Sequence, residues 1–476
     1  NEWNMGCGSL SDCVTQEHKL PYLSRREVTD LIQCLEEHQC LGHLAGMSLP
    51  EQINSFEKRA GRQLLVALHE ATLGKPYEEI LVDEFNEIRP RDAQNIYLTV
   101  CILNRLRIRV RAGVISRIYG IPFSDFSKRF FSPLEHVVNV VEQPWLGDYA
   151  YEARHPQIAQ IVFDRVLTDS IEKFDYYIRL LKALNISYST DLRAFRKLVL
   201  GNTILELFPN HEEAVQIFNA AFEIASHDAF VYHQRAIYEM KRANGSLEKA
   251  HEFLTTAKEL EPDNDAVLHS LAELFLIRAE RTAEPLQKAR YRLNSKKIAT
   301  TLLDREGSRR VAHHTLIKLH ISELRDLLNE NDPSERTIDE IVKKIEEHLE
   351  ICLQEFPGDS YLLSAEADLY DVLDSEDKAL DALKKAFDAN PRNPFLATRL
   401  SKFYEEQHND ELALRVVKSA LDANPGDQRL HFRCAMLLQN DPNSSIDERL
   451  YHLRRSFTQG DRKYEAQFWY ALNCFM

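Results

Sequence analysis

The stretch 149–162 (YAYEARHPQIAQIV) holds the residue whose setting best suits chemistry, His155. It ends a predicted strand, and Pro156 opens a helix at the position where a missing amide donor costs nothing. A helix start leaves backbone N–H groups unpaired and carries the positive end of the helix dipole, which favours an anion. An imidazole there, with Arg154 beside it, can hydrogen-bond a phosphate and register its presence. A plain helix cap in a domain corner is the competing reading.

Four arginines, Arg105, Arg107, Arg109 and Arg111, alternate with Leu106, Ile108 and Val110. In a strand, residues two apart share a face, so the guanidinium groups would form one row able to touch DNA phosphate. The alternative is pairing with acidic surface of a neighbouring domain. Other patterns fail. The only Gly-Lys pair, Gly74-Lys75, is followed by Pro76 and lacks the upstream glycine of a phosphate loop. The run Ile80-Leu81-Val82-Asp83-Glu84 imitates a magnesium-binding strand, but Asp83, Glu84 and Glu87 alternate with Ile80, Leu81 and Phe85 at helical spacing. His69-Glu70 lacks the second histidine of a zinc protease motif. Cys34, His38, Cys40 and His43 straddle the end of a predicted helix with no second ligand cluster. His313, His314 and His320 read as helix-surface histidines. No Ser/His/Asp or Cys/His arrangement can be assembled from the spacing, so neither a catalytic residue nor a metal is expected.

The composition bounds the rest. A chain of 476 residues with 44% hydrophobic and 28% charged residues is ordinary for a soluble protein and has room for roughly two to four domains. No uncharged apolar run reaches membrane-spanning length. Eight scattered cysteines without a C-x-x-C pair fit a reducing cytoplasm better than a disulfide framework. A net charge of −15 argues against a general nucleic-acid coat, which needs clustered Lys and Arg. The start Asn1-Glu2-Trp3 is neither an initiator methionine nor a signal peptide, and predicts a chain that begins inside a larger protein.

Stepwise along the chain, residues 23–44, 56–72 and 77–88 show helical periodicity and form a small helical domain. Residues 93–104, 113–119 and 123–138 are predicted helices. Two β-prone runs, 137–143 and 149–154, follow around Pro144, Gly147 and Asp148. Three helices and a hairpin is the winged-helix arrangement. From Pro156 onward the pattern is helical, with segments 158–166, 171–184, 191–208 and 212–224 as a connector. Later come helices over 286–304 and 311–328, a polar loop at 329–336, and a helix at 464–475 that lacks a partner.

Pro357, Pro391 and Pro425 stand 34 residues apart. Small residues recur five before each (Cys352, Ala386, Ala420) and ten after (Ala367, Ser401, Ala435), and a large one thirteen after (Tyr370, Tyr404, Leu438). Ile345, Ala379 and Ala413 stand twelve before. Pro262 repeats the offsets with Ala250, Ala257 and Ala272. Two helices per period follow, because a short helix pair cannot bury its apolar stripe alone whereas stacked pairs can. Proline stops the second helix.

This period and its small positions resemble the tetratricopeptide (TPR) family, although Leu363, Ala397 and His431 stand where that family has Trp. The whole order resembles the C-terminal part of STAND-class P-loop NTPases, which include bacterial antiphage sensors. Residues 23–44 with 56–74, which carry REVTDLIQCLEEHQCLGHL and LLVALHEATLG, look like the helical lid of the bacterial members. ARHPQIAQIV at 153–162 looks like their Met-His-Asp motif, with Arg154 and Pro156 departing from it. The resemblance implies a mainly α chain: a helical lid domain at 1–89, a winged-helix domain at 90–165, a helical connector at 166–226, and a TPR-like α-solenoid at 227–476. It implies that His155, with Arg154, senses the β-phosphate of ADP, the ADP or ATP being held mainly by an upstream domain not in this chain. It further implies a cytoplasmic immune sensor whose concave solenoid face recognises a foreign (phage) protein, with Tyr361, Tyr370, Phe395, Tyr404 and Phe432 as candidate contacts. At least half of those five are expected to be buried. An upstream NTPase, an effector such as a sirtuin-like NAD hydrolase or a nuclease, and homo-oligomerisation on activation belong to the same implication. Neither a membrane nor nucleic acid is expected as a partner. A stand-alone TPR adaptor that binds a peptide is the alternative.

Overall fold

The computed structural model describes residues 25–38, 41–54, 77–121, 131–143, 148–330, 333–356, 358–391, 393–424, 427–441, 444–456 and 463–475. The chain divides into two compact units, one made of Asn1–Arg105, Ser124–Val140 and Tyr151–Val166, the other of Leu106–Phe123, Val141–Ala150 and Leu167–Met476.

In the first unit, α1 (Arg25–Glu37) and α2 (Leu49–Asn54) meet around Val28, Ile32, Leu44 and Ile53. Residues 55–76, which include the expected helix at 56–72 and His69-Glu70, lie outside the described residues. Helix α3 (Tyr77–Glu87) buries Leu81 and Phe85 and exposes Asp83 and Glu87. The run 80–84 is therefore a helix turn with Asp83 on its exposed side, and not a strand. Helix α4 (Arg91–Asn104) is buried along most of its length, and α7 (Pro156–Val166) packs on both α3 and α4.

Three strands, β1 (Val110–Arg111), β2 (Val138–Gln143) and β3 (Asp148–Ala153), pair in the order β1-β3-β2. The expected helix at 123–138 is described only as the short α6 (Phe131–Leu134), because 122–130 lie outside the described residues and Val138 already belongs to β2. The arginine row does not form. Arg105–Arg107 make a turn after α4, and Arg107 takes φ 59°, which breaks the two-residue alternation a strand requires. Arg105 lies over the Phe163 ring at 4.2 Å. Arg111 turns inward, 3.3 Å from Asp191 and 3.4 Å from the Tyr188 ring centroid, with 5% of its surface exposed. A buried ion pair within the acidic chain takes the guanidinium that DNA would have needed.

The second unit is a mainly α stack. It starts with α5 (Ala112–Tyr119), which Gly120 closes in the left-handed region at φ 63°, and α8 (Ser170–Ala183), which packs on α5. The single helix expected over 191–208 is two, α9 (Ser189–Leu198) and α10 (Gly201–Leu207). Gly201 lets α10 lie against α12 (Ala229–Lys241): a Cβ there would meet the Gln234 carbonyl oxygen at 2.5 Å. Gly201→Ala should therefore lower stability by about 1–3 kcal/mol through overpacking, read as a lower urea midpoint. An unchanged midpoint would mean that α10 slides freely.

After α11 (His211–Ile224) the hairpins follow in series. They are α12 with α13 (Leu247–Leu260), α14 (Asp265–Arg281) with α15 (Pro285–Leu303), and α16 (Arg309–Leu328) with α17 (Glu335–Glu355). Next come α18 (Ser360–Val372) with α19 (Glu376–Ala389), α20 (Pro394–Glu406) with α21 (Asp410–Ala423), and α22 (Gln428–Asn440) with α23 (Ile446–Ser456). A last helix, α24 (Lys463–Phe475), packs on α23. The repeat positions read from the sequence are core: Ala250, Ala257, Ala272, Ile345, Cys352, Ala367, Ala386, Ala413, Ala420 and Ala435 are all fully buried. Small side chains at these points let helix backbones approach, and the stack buries what one pair cannot.

Each second helix ends two residues before Pro262, Pro357, Pro391 or Pro425. Two residues after each proline stands an acceptor, Asn264, Asp359, Asn393 or Asp427, that caps the next first helix. One tripeptide pattern thus both stops one helix and starts the next.

Candidate recognition surface

From α14 onward each first helix of the hairpin series is tied to the next first helix by a basic side chain. Lys318 on α16 reaches Glu273 on α14 at 3.7 Å, and Arg310 reaches Asp359 before α18 at 2.8 Å. Arg399 on α20 pairs with Asp368 on α18 and donates to the Ser364 hydroxyl at 2.8 Å. Arg433 on α22 reaches Glu405 on α20 at 2.6 Å and the Ser401 hydroxyl at 3.0 Å. The first helices therefore form a continuous polar row. Burial raises the Asp368 carboxyl, against the pull of Arg399.

Tyr361 and Phe395 stand on this row at equivalent places, each the second residue of its helix. Asp359 accepts from the Tyr361 amide at 3.0 Å, and Asn393 from the Phe395 amide at 3.0 Å. The caps fix the backbone, so the rings project at a set point. They are 57% and 61% exposed, unusual for large aromatic residues. The Tyr361 ring meets His314 edge-on at 6.3 Å. Arg429 occupies the same place on α22 and reaches Glu206 at 3.4 Å.

The other aromatic candidates face elsewhere. Tyr404 and Phe432 are 7% and 5% exposed and fill the helix interfaces. Tyr370 is half-buried against the same core, with the Lys378 ammonium 5.2 Å from its ring. Two of the five are thus buried and a third partly so.

The histidines of α16 are not surface groups. His313 and His320 are buried, with His313 Nδ1 3.2 Å from His348 Nδ1 and His320 Nδ1 2.8 Å from Glu323. His314 is half-buried, and burial pushes its imidazole down to about 3. Helical spacing cannot separate an outer face from one covered by the paired helix, and here α17 brings its own histidine to the contact.

His155 is exposed at the start of α7, where its Nδ1 accepts from the Gln157 amide at 3.1 Å. Arg154, also exposed, pairs with Glu84 on α3. An imidazole that accepts at Nδ1 carries its proton on Nε2, which leaves one donor for an outside acceptor. Among the described residues no group of three His, Cys, Asp or Glu side chains is arranged to hold a metal ion. Nor is any described helix long and apolar enough to cross a membrane.

The interhelix basic residues had a sequence signal that periodicity in apolar residues does not show. Arg399 and Arg433 stand 34 residues apart, as do the caps Asp359, Asn393 and Asp427. No family model matches the chain, and no curated protein matches it. Among solved structures it is similar to a thermophilic TPR protein of Thermus thermophilus, at 18% identity over 44% of this chain and 99% of that one, TM-score 0.34. A tetratricopeptide repeat protein of Parabacteroides merdae is 16% identical over 59% of this chain and 96% of its own, TM-score 0.35. Yeast Tom70 is 11% identical over 95% of this chain and 96% of its own, TM-score 0.43. The burial of the repeat positions, rather than these scores, fixes the helix-pair class.

Proposed function

We propose that the chain is a recognition module that binds a protein partner along its row of first helices. Tyr361 and Phe395 carry this reading, because two capped, equivalent and exposed aromatic rings beside a polar row are the usual anchors of an interface. Peptides selected from a displayed random library on the wild-type chain should bind the Tyr361→Ala/Phe395→Ala variant about tenfold or more weaker. Circular dichroism should stay the same, since neither ring is in the core. Equal affinity for both proteins would overturn the reading.

More finely, we propose the regulatory and sensing region of a STAND-type antiphage sensor, with a foreign protein as trigger and an upstream NTPase and effector as output. What supports it is the Nε2 of His155 at the start of α7, which has no partner among the described residues and is suited to a diphosphate oxygen. The His155 ring resonances should shift when millimolar ADP is added, and His155→Ala should remove that response. The stand-alone adaptor is favoured by the same hydrogen bond, which a plain helix start also explains. Ring resonances that ignore ADP, together with an upstream sequence that lacks a phosphate loop, would overturn the sensor reading and leave the adaptor.

A further inference from the structure

Helix α15 differs from every other second helix of the stack in charge. Its nineteen residues, 285–303, contain no Asp or Glu, yet hold Lys288, Arg290, Arg292, Lys296 and Lys297, in a chain whose net charge is −15. The corresponding helices carry several acids each: Glu248, Glu252 and Glu259 on α13, Glu376, Asp377, Asp381 and Asp388 on α19, Asp410, Glu411 and Asp422 on α21. Its length also departs, since α13, α19 and α21 have fourteen residues.

The inward side is accounted for. Ser295, Ala299 and Leu302 are buried, Ser295 Oγ donates to the Ala272 carbonyl at 2.9 Å, and Lys288 and Arg292 pair with Asp326 on α16. The outward side is not. Leu286 and Leu293 are 81% and 51% exposed, seven residues apart and so two turns along one face. Arg290 and Lys297 fall on the same line, are exposed, and make no ion pair among the described residues. The face thus alternates leucine, cation, leucine, cation.

We propose that this outer face of α15 docks an acidic amphipathic helix of a partner protein. The leucines supply two anchors at the i, i+7 spacing that a helical partner reads, and the cations between them select acidic flanks. A site of this kind is separate from the aromatic row of the first helices. A lipid surface is disfavoured, because two exposed leucines are a small apolar area against what an interfacial helix inserts.

The test uses the full chain and a synthetic eighteen-residue amphipathic peptide with leucines at i, i+4 and i+7 flanked by glutamates. Fluorescence anisotropy at low salt should show binding. It should weaken about tenfold or more in Leu286→Ala/Leu293→Ala and in Arg290→Glu/Lys297→Glu, all surface changes that leave the fold intact by circular dichroism. A peptide with lysines in place of the glutamates should bind Arg290→Glu/Lys297→Glu better than the wild type. Absence of peptide binding, binding that neither double substitution alters, or binding of phosphatidylserine vesicles in preference to the peptide would each overturn the proposal.

Discussion

Urea unfolding of the helix stack should show stability falling steeply as the pH drops from about 6.5 to about 4. Burial pushes the imidazoles of His233 and His452 down to about 4 from an ordinary value near 6.5. Each is only 8% exposed. A base whose folded value is depressed contributes stability that is complete above 6.5, is lost as the pH falls below it, and is fully lost near 4. The loss approaches about 3 kcal/mol for each of the two histidines, a large part of what holds a domain together.

The neighbours that act on these rings are cationic or uncharged: His269 for His233, and Lys418 and Arg455 for His452. His233 Nε2 lies 2.8 Å from the Ser270 hydroxyl. His452 Nδ1 faces His431 Nδ1 at 2.8 Å, so one ring donates and the other must accept. On its other side His452 Nε2 meets Cys434 Sγ at 3.5 Å. Burial pushes that thiol up to about 12, so it stays protonated and supplies no negative charge to the ring. A second proton on His452 would place a charge in a dry contact beside an uncharged thiol and a second imidazole, with Lys418 and Arg455 adding repulsion. His233→Asn/His452→Asn should lessen the slope between pH 6.5 and 4, with His314 and His348 carrying what remains, even though it lowers stability at pH 7.5. A slope unchanged by the double substitution would assign acid sensitivity to other groups.

Glu239→Leu should lower stability by about 3–5 kcal/mol, because it strands a buried guanidinium. Glu239 is fully buried, with Arg235 at 2.9 Å, Arg242 at 2.9 Å and the Ser246 amide at 3.2 Å. Arg235, 5% exposed, lies over the rings of Phe218, Tyr238 and Phe253 at 5.0, 5.2 and 5.6 Å. Burial raises the Glu239 carboxyl, but its donors outweigh that and hold it below the usual carboxylate range. Its contribution is present above about 4.5 and is lost only below, beneath the histidine window. Replacing both partners, in Arg235→Met/Glu239→Leu, should recover most of the loss, since an apolar pair needs no counter-charge. If the double variant is no more stable than Glu239→Leu, the cost lies in packing rather than charge.

The proline spacing was legible because a helix stop and a close helix approach each restrict residue type strongly. Pro391, Ala386 and Ser401 leave few substitutes, so the hairpins could be read in order. The arginine alternation at 105–111 was misleading, because a left-handed Arg107 and a carboxylate 80 residues away, Asp191, both lie beyond a local window. His313 and His320 were misplaced for a related reason: what covers a polar residue is decided by the partner helix. The split at Gly201 depended on the backbone of Gln234, which no local pattern carries. Among the aromatic candidates, Tyr361 and Phe395 could not be separated from Tyr404 and Phe432 by type. Only their place in the turn of each helix does so.

The pairing of Arg429 with Glu206 joins positions 223 residues apart in sequence across 3.4 Å. Both side chains are well exposed, so the bond itself adds little. Its meaning is mechanical. In stacked repeats the small rotation from one unit to the next accumulates, so the gap between Arg429 and Glu206 depends on every junction between α10 and α22. A slight flexing spread over the whole coil would open or shut it by far more than any single junction moves. Two spectroscopic labels, one beside each residue, would turn the coil into a gauge of its own strain.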